Sequence, residues 1–595
     1  MRVVLRDAAS GRWLQFIRPR QIVTARSLAE VVPGLGQVEE AVARESLYAA
    51  GFIAYEAAPA FDDKLVVHND GAFPLLWFGL YEDIEEIELP GPAPLADKEG
   101  MDWQPSVGQA EFHRELARIK ALIRSGDTYQ VNYTHRLKAR FAGDCWNCFL
   151  RLVAAQDAPY GAFVDTGEWV VCGASPELFF HLNGTYIECR PMKGTATRGR
   201  TEAEDLARAQ ALQASEKERA ENVMIVDMVR NDLGRVAEPG SVKVARLFHV
   251  ERYPTLWQMT SSVEAQTRAG LADIFRALFP AASVTGAPKV RTMQIIAGLE
   301  PLPRRLYTGT VGFLAPGRRG QFNVAIRTLL ANRRTGCAEY GVGSGITWES
   351  DPAAEWQECR AKAGILSAPV LAFSLLETMR WTPEEGYFLL ERHLERLQAS
   401  VRYFGFRISL PALLSELEGM ASKLGQTRQR VRLLATKEGR IILEAAALPE
   451  DEAKPRRVAL ARSPVDSSDA FLYHKTTSRR VYEVARTACP GFDDVLLYNE
   501  KGEITESTIA NVAVEMDGTL YTPPVSCGLL AGTFRAHLLQ LGELIERPIL
   551  VEEALRSHRV LLMNSVRGKY RVELVKAEHF EAPVAPGDDK PRAVL

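Results

Sequence analysis

The chain has 595 residues, with 72 Lys and Arg against 75 Asp and Glu, for a formal net charge of −3. Its apolar and charged fractions, 46% and 25%, are those of a soluble globular protein, and the near-neutral balance excludes a global basic field for nucleic acid or a membrane surface. The length exceeds what one ordinary core uses and predicts roughly three to four domain-sized units, two of which a large α+β sandwich could absorb.

The run Met1-Arg2-Val3-Val4-Leu5-Arg6-Asp7 lacks an apolar signal core. No later run offers about 18 uninterrupted apolar residues, so a cytoplasmic protein without a membrane span is expected. Eight cysteines are scattered along the chain, and the close pair Cys145 and Cys148 has no second pair or His pair beside it. Buried free thiols are therefore expected in place of zinc.

In chain order, Gly51 to Tyr55 and Leu75 to Tyr81 read as strands, and Pro90-Gly91-Pro92-Ala93-Pro94 as a linker or loop. Phe112, Leu116, Ile119, Leu122 and Ile123 fall at helical spacing between Gln109 and Ser125, with Gly126 as the stop. Tyr129 to Thr134 reads as a strand whose alternation puts Gln130, Asn132 and Thr134 on one polar face able to line a site. Strand signals at Ala162 to Val164 and Trp169 to Cys172 lead to Ser175-Pro176-Glu177-Leu178-Phe179-Phe180. There Glu177 is either a partly desolvated general acid of raised pKa or an ordinary turn glutamate at the surface.

The run Arg190-Pro191-Met192-Lys193-Gly194-Thr195 sets a lysine in a Pro/Gly-bracketed loop. Pro191 fixes its own φ and pushes Arg190 toward extended geometry, while Gly194 lets backbone approach a ligand, so the amine is presented at a defined place. It is a nucleophile or a solvated lysine paired with a carboxylate. Glu202 to Asn231 is strongly helical and places Glu218 and Glu221 three residues apart on one face.

Ser283 to Lys289 departs from Walker A spacing, but its Thr-Gly-x-Pro lead into a helix over Val290 to Ala297 offers backbone N–H groups to an anion. Strand-like Asn323 to Thr328 supplies Arg327, suited to bidentate carboxylate binding. Gly341-Val342-Gly343-Ser344-Gly345-Ile346 has the wrong spacing for a dinucleotide fingerprint and suits close backbone approach to a carboxylate. Farther on, Glu355 and Glu358 repeat the i,i+3 device, with Lys362 one turn beyond. Convergence of the two acidic helices would build an oxygen-only site of the kind Mg²⁺ prefers; separate solvated faces are the alternative.

Taken in order across about residues 45 to 368, the Ser-Pro-Glu-Leu run at Glu177, Pro191-Met192-Lys193-Gly194-Thr195, the Thr285-Gly286 run, Tyr307 to Gly312 and the glycine-dense strand resemble the chorismate-binding enzymes. Lys193 and Tyr253 to Met259 resemble the aminodeoxychorismate synthase component I branch. The sister anthranilate branch usually carries alanine at the position of Lys193 and histidine at that of Gln258. The resemblance implies a large β-sandwich with surrounding helices and chorismate and ammonia as substrates. It implies Lys193 as nucleophile, Glu177 as acid, and Glu221, Glu355 and Glu358 as Mg²⁺ ligands. It further implies substrate contacts from Gln130, Thr285, Tyr307, Arg327, Gly343, Gly345 and Lys362. No G-x-C-x-G elbow with a His-x-Glu partner is present, so a separate glutamine amidotransferase subunit is expected to supply the ammonia.

Near residue 370 the pattern changes: Leu375 to Met379 opens a strand and Arg392 to Leu397 a helix, in which His393 reads as a packed or capping residue. Over about residues 372 to 582 the chain resembles class IV pyridoxal-phosphate-dependent enzymes: aminodeoxychorismate lyase, branched-chain aminotransferase and D-amino-acid transaminase. The resemblance implies a two-subdomain α/β domain of fold type IV, often a homodimer through that domain. It implies Lys475, in Tyr473-His474-Lys475-Thr476-Thr477, as the residue that carries pyridoxal 5'-phosphate, and Glu506 as the partner of the ring nitrogen. Arg396, Thr533, Phe534 and Ser565 would contact the phosphate. By themselves Lys475 is an ordinary strand lysine and Glu506 a turn glutamate.

The expected organisation is a chorismate-binding domain over 1–368, a class IV domain over 369–582 and a disordered tail over 583–595. The expected function is two-step synthesis of p-aminobenzoate. A C-terminal branched-chain or D-amino-acid aminotransferase, or a non-catalytic scaffold, stands beside it.

Overall fold

The computed structural model describes residues 1–93, 101–141, 143–366, 373–448 and 455–575. Pro94 of the expected linker, the expected boundary at 368 and the expected disordered tail lie outside these residues. The chain divides into two compact units, one of residues 1–198 and 209–370, the other of residues 199–208 and 371–595.

The first unit is built on two ten-stranded antiparallel sheets. Alternation along each strand sorts side chains into layers. In Arg2–Arg6, Val3 and Leu5 enter a core with Phe16, Phe52 and Phe313 that joins residues of both sheets, while Val4 joins a second core on the other face. Likewise Ala50 and Phe52 face the shared core, and Ala49 and Ile53 turn to a third. The helices Leu28–Arg44, Glu216–Gly234 and Leu271–Leu278 close that third core, and Gln109–Arg124 and Cys145–Gln156 close the second. This is the helix-flanked β-sandwich expected from the sequence.

The site forms near one end of each sheet. Gln130–Arg140 and Cys337–Ile346 pair near one end of the first sheet, and Met192–Thr197 is the terminal strand of the second, beside Leu256–Gln266. Lys193 thus lies on a strand and not in a free loop. Between the pairs Met192↔Thr260 and Thr195↔Gln258 the lysine-bearing strand holds one extra residue, a bulge with Gly194 at φ 100. The expected single helix from Glu202 is two, Glu202–Ala214 and Glu216–Gly234, because Ser215 accepts the Glu218 N–H and restarts the chain as an N-cap. The expected strand through Arg327 stops at Val324 and resumes at Thr328, leaving Arg327 between them at φ 51.

The second unit has two parts. A four-stranded antiparallel sheet centred on Leu375–Thr382 and Gln429–Ala435 packs on the helices Leu390–Phe404 and Leu410–Ala421 through Leu397, Leu413, Leu417 and Leu433. An eight-stranded mixed sheet follows, in which Ile504–Ser507 pairs with both Asp494–Tyr498 and Asn511–Met516 and so closes six strands into a barrel. Parallel pairing of Arg456–Leu460 with Asp494–Tyr498 and Gly568–Val575 makes this part α/β. The two-subdomain expectation holds. All eight cysteines are free, and among the described residues no helix is long and apolar enough to cross a membrane.

Candidate active sites

In the first unit, the alternate glycines of Cys337–Ile346 clear space on one face of the strand for particular side chains. A Cβ at Gly341 would enter the Tyr307 ring, one at Gly343 would meet Thr134, and one at Gly345 would meet Lys193 Nζ and Gln130 Nε2. The sequence reading assigned this run to a carboxylate; the structure gives its space to neighbouring residues.

Lys193 reaches from its bulge to 3.3 Å from Glu221, and its carbonyl accepts from Asn222 Nδ2 at 3.2 Å. Asn222 is held in turn by Ser261 Oγ at 2.6 Å, and Gln258 Nε2 donates to the Gly194 carbonyl at 2.7 Å. Gln130 is fully buried, and neither its amide nitrogen nor its oxygen has a hydrogen-bond partner. Such a group is costly unless a ligand satisfies it.

Glu177 follows the strand Trp169–Ser175, is buried, and accepts from Ser283 Oγ at 2.6 Å. Burial pushes its pKa to about 7 despite that hydrogen bond, another from the Met192 N–H, and the nearby charge of Lys193. A surface turn glutamate is thereby ruled out.

Of the other expected substrate contacts, Arg327 donates to the Lys362 carbonyl at 2.6 Å, and Lys362 Nζ donates to the Gly343 carbonyl at 2.8 Å and pairs with Glu358 at 2.7 Å. Tyr307 lies under the Arg136 guanidinium, 5.1 Å from its ring centroid. Thr285 is buried with its hydroxyl turned to the Ala281 carbonyl at 3.1 Å, and its own carbonyl accepts the Asn132 N–H. The helix over Lys289–Leu299 begins after Pro288, in agreement with the sequence.

The two acidic helices come within electrostatic reach of each other, Glu358 acting on Glu218 as Glu221 does. Glu221 faces the Lys193 ammonium and Glu358 the Lys362 ammonium, whose charge holds Glu358 below the usual carboxylate range although burial opposes it. Glu218 is raised by burial and then by Glu221. Among the described residues no group of three or more His, Cys, Asp or Glu could hold a metal ion. The donors Glu221, Glu355 and Glu358 are of the oxygen type Mg²⁺ takes, and ammonium groups lie beside two of them.

In the second unit Lys475 is half-buried, and loss of hydration together with Arg396 and Arg479 lowers its pKa to about 8. Its carbonyl accepts from Leu376 N at 2.9 Å. Glu506, on the strand that closes the barrel, accepts from Tyr482 Oη at 2.7 Å and Asn511 Nδ2 at 3.1 Å. Burial raises it to about 7. A Cβ at Gly532 would collide with Asn511, so backbone passes close at the start of the helix Thr533–Gln540.

Arg396 spends its fork on Glu377, at 2.8 and 2.6 Å, and its remaining nitrogen donates to the Ala531 carbonyl at 3.1 Å. His393 bridges Glu377 at 2.7 Å and Thr533 at 3.2 Å. Burial alone would raise Glu377, but Arg396 and His393 outweigh it and hold it well below the usual range. Ser565 Oγ meets the Thr378 carbonyl at 3.3 Å, while Phe534 packs 6.0 Å from Phe388. A half-buried lysine of lowered pKa within electrostatic reach of a buried glutamate, with a cation and a helix N-terminus near by, is a donor set that fits pyridoxal phosphate.

Glu377, Tyr482 and Asn511 escaped the sequence reading, and His393 was read as a packed or capping residue. The i,i+3 pair His393 and Arg396 and the lone carboxylate in the apolar strand Leu375–Thr382 were the signals that could have pointed to the network.

Residues 2–368 match the model of chorismate binding enzymes, and residues 374–575 match that of class IV amino-transferases. Aminodeoxychorismate synthase component 1 of Klebsiella aerogenes is 43% identical over 258 residues, 43% of this chain and 57% of that protein. Anthranilate synthase component 1 of Streptomyces coelicolor is 34% identical over 388 residues, 57% of this chain and 74% of that protein. The chain spans 57–59% of the length of the Klebsiella, Salmonella and Escherichia component 1 relatives. Anthranilate synthase component I from Streptococcus pneumoniae shares the fold, with a TM-score of 0.52 at 24% identity over 62% of this chain and 92% of that one. With its model matched over more than half of the sequence, this chain belongs to the chorismate binding enzyme family and carries a class IV amino-transferase domain behind it.

Proposed function

We propose that the chain is a bifunctional enzyme that converts chorismate and ammonia to 4-amino-4-deoxychorismate and then to p-aminobenzoate and pyruvate. The observation that carries this reading is the meeting of Lys193, the unpartnered Gln130 amide and buried Glu177 in one site. Arg327 and Lys362 hold the substrate carboxylates, and Thr285, Tyr307, Gly343 and Gly345 shape the remaining wall. Lys193 Nζ bonds to C2, the two ring double bonds shift, and the C4–O bond breaks as Glu177 gives its proton to the departing hydroxyl, which leaves as water. Ammonia then bonds to C4, the double bonds shift back, and the C2–N bond breaks to free Lys193. Glu221, at 3.3 Å, takes the lysine proton. The same reading assigns Mg²⁺ to Glu221, Glu355 and Glu358, and no step above is routed through it.

In the second site, bound pyridoxal phosphate supplies the electron sink. Arg396, Thr533, Phe534 and Ser565 hold its phosphate end, and Glu506 keeps a proton at its ring nitrogen. Lys475 removes the C4 proton of the aminodeoxychorismate, the C3–O bond breaks, pyruvate leaves, and the ring becomes aromatic. The lowered pKa of half-buried Lys475 supports this use and weighs against a mere scaffold. Amino-group transfer to 2-oxoglutarate is the second reading, favoured by the description of the model that residues 374–575 match.

A separate glutamine amidotransferase supplies the ammonia, the protein works in the cytoplasm, and it pairs through its class IV unit. Glutamine-driven turnover that needs no second protein would remove that partner, and a monomer by sedimentation would remove the pairing. For the chemistry, intact-mass analysis of the protein with chorismate and no ammonia should trap an adduct on Lys193. Peptide maps without one at this lysine would sink its covalent role.

A further inference from the structure

The second unit contains ten residues that the chain supplies far from the rest of it, Gly199–Arg208. They follow directly on the strand that bears Lys193, and they pack where the other lysine is held. The Gly199 carbonyl accepts from buried Tyr403 Oη at 2.7 Å, and the Gly199 N–H donates to Asp205 Oδ1 at 2.8 Å. A Cβ at Gly199 would run into the Asp205 backbone, so this turn requires glycine.

Arg200 is the centre of the contact. Glu204 fixes its backbone N–H and its Nε, each at 3.0 Å. Its Nη1 then donates to Tyr473 Oη at 3.0 Å with the guanidinium 5.2 Å from that ring, and its carbonyl meets His474 Nε2 at 3.2 Å. His474 is gripped from the other side by Ser400 at 2.9 Å and stacks on Tyr403, ring centroids 4.3 Å apart. Tyr473 and His474 are the two residues before Lys475. A cavity of about 300 Å³ beside them is lined by Thr201 and Glu202 together with Arg396, Ser400, His474 and Thr533.

We infer that Gly199–Arg208 is a structural part of the class IV site, with Arg200 as a positioning residue that orders the segment bearing Lys475. The inference rests on the reading of Lys475 as the lysine that carries pyridoxal phosphate. A charged donor on a phenol and a main-chain acceptor on an imidazole fix two consecutive side chains, and so the direction from which the next one leaves the backbone. The consequence is that a class IV site in this protein depends on chain belonging, by sequence, to the chorismate-binding half.

The test uses the full chain with Arg200→Ala, and with Tyr403→Phe as a milder second variant that removes the bond to Gly199. The first readout is amide hydrogen exchange over residues 471–477 in protein stripped of pyridoxal phosphate. The second is the affinity for added pyridoxal phosphate and the pH midpoint of its bound visible absorbance. Both variants should exchange faster in this segment, and Arg200→Ala should bind the cofactor about tenfold more weakly with a displaced midpoint. Wild-type exchange, affinity and midpoint in Arg200→Ala would overturn the inference. Lys475→Ala separates the two claims: if it keeps the bound absorbance, the reading of Lys475 fails, and the exchange data alone then uphold or overturn the ordering by Arg200. Should Arg200→Ala not fold, Tyr403→Phe decides by the same readouts.

Discussion

The two lysines are presented in opposite ways. Lys193 projects from a bulged terminal strand into space cleared by Gly345, with the carboxylates of Glu221 and Glu177 as its neighbours. Lys475 is half-buried in its unit, with Arg396 and Arg479, and against them Glu377 and Glu506, among the charges that act on it, and loss of hydration takes its pKa down to about 8. The first arrangement suits an amine that must bond to a substrate and leave, with carboxylates at hand for its protons. The second suits an amine that must give up its ammonium proton more readily than an ordinary lysine does. The same functional group sits in two surroundings, carboxylates beside Lys193 and arginines as well as carboxylates around Lys475.

That contrast breaks most sharply in the two lysine variants. Lys193→Ala should lower aminodeoxychorismate formation by about three orders of magnitude while leaving pyridoxal phosphate absorbance intact, and Lys475→Ala should do the reverse. Glu177→Gln comes next, with a loss of about a hundredfold or more in the first step. Because Glu177 must be protonated to act and its pKa is about 7, wild-type turnover should fall as pH rises through that value. The variant's rate should be flat there; a wild-type fall that survives in Glu177→Gln would assign the titration elsewhere.

Gly345→Ala sharpens the account of cleared space. The new methyl meets the flexible end of Lys193, so kcat should drop about tenfold with thermal stability little changed. In the second unit Glu377→Gln should cost about 3 kcal/mol in denaturant unfolding, since it strips a buried charge from Arg396 and His393. Glu377 is held below its unfolded value, so its contribution is present above the ordinary carboxylate range and is lost as pH falls through the lowered pKa. The exposed pair of Arg402 with Glu202 should matter least, with Arg402→Ala changing stability by less than about 0.5 kcal/mol.

Local signals in the sequence reached as far as local physics does. Periodicity placed the helix Gln109–Arg124 and the strands around Tyr160–Asp165 and Trp169–Ser175, and the changed pattern near residue 370 marked the second unit. What it missed depended on partners distant in sequence. The Pro/Gly bracket around Lys193 reads as a loop until Leu256–Gln266 pairs with it. That Tyr307, Thr134 and Lys193 reach the space beside the glycines at 341, 343 and 345 from three other segments is likewise invisible locally. The lone carboxylate of Glu377 and the i,i+3 pair His393 and Arg396 were visible, but that they meet across 16 and 19 residues was not, and nothing in Gly199–Arg208 announced that it folds with a later part of the chain.

The central claim is that two different sites act in sequence on one substrate. Its most direct test is product analysis by mass spectrometry on the purified full chain given chorismate, Mg²⁺, an ammonium salt and pyridoxal phosphate, beside Lys475→Ala. The account predicts p-aminobenzoate with equimolar pyruvate from the wild type and accumulated 4-amino-4-deoxychorismate from the variant. Anthranilate from either protein, or p-aminobenzoate released by Lys475→Ala at the wild-type rate, would contradict it.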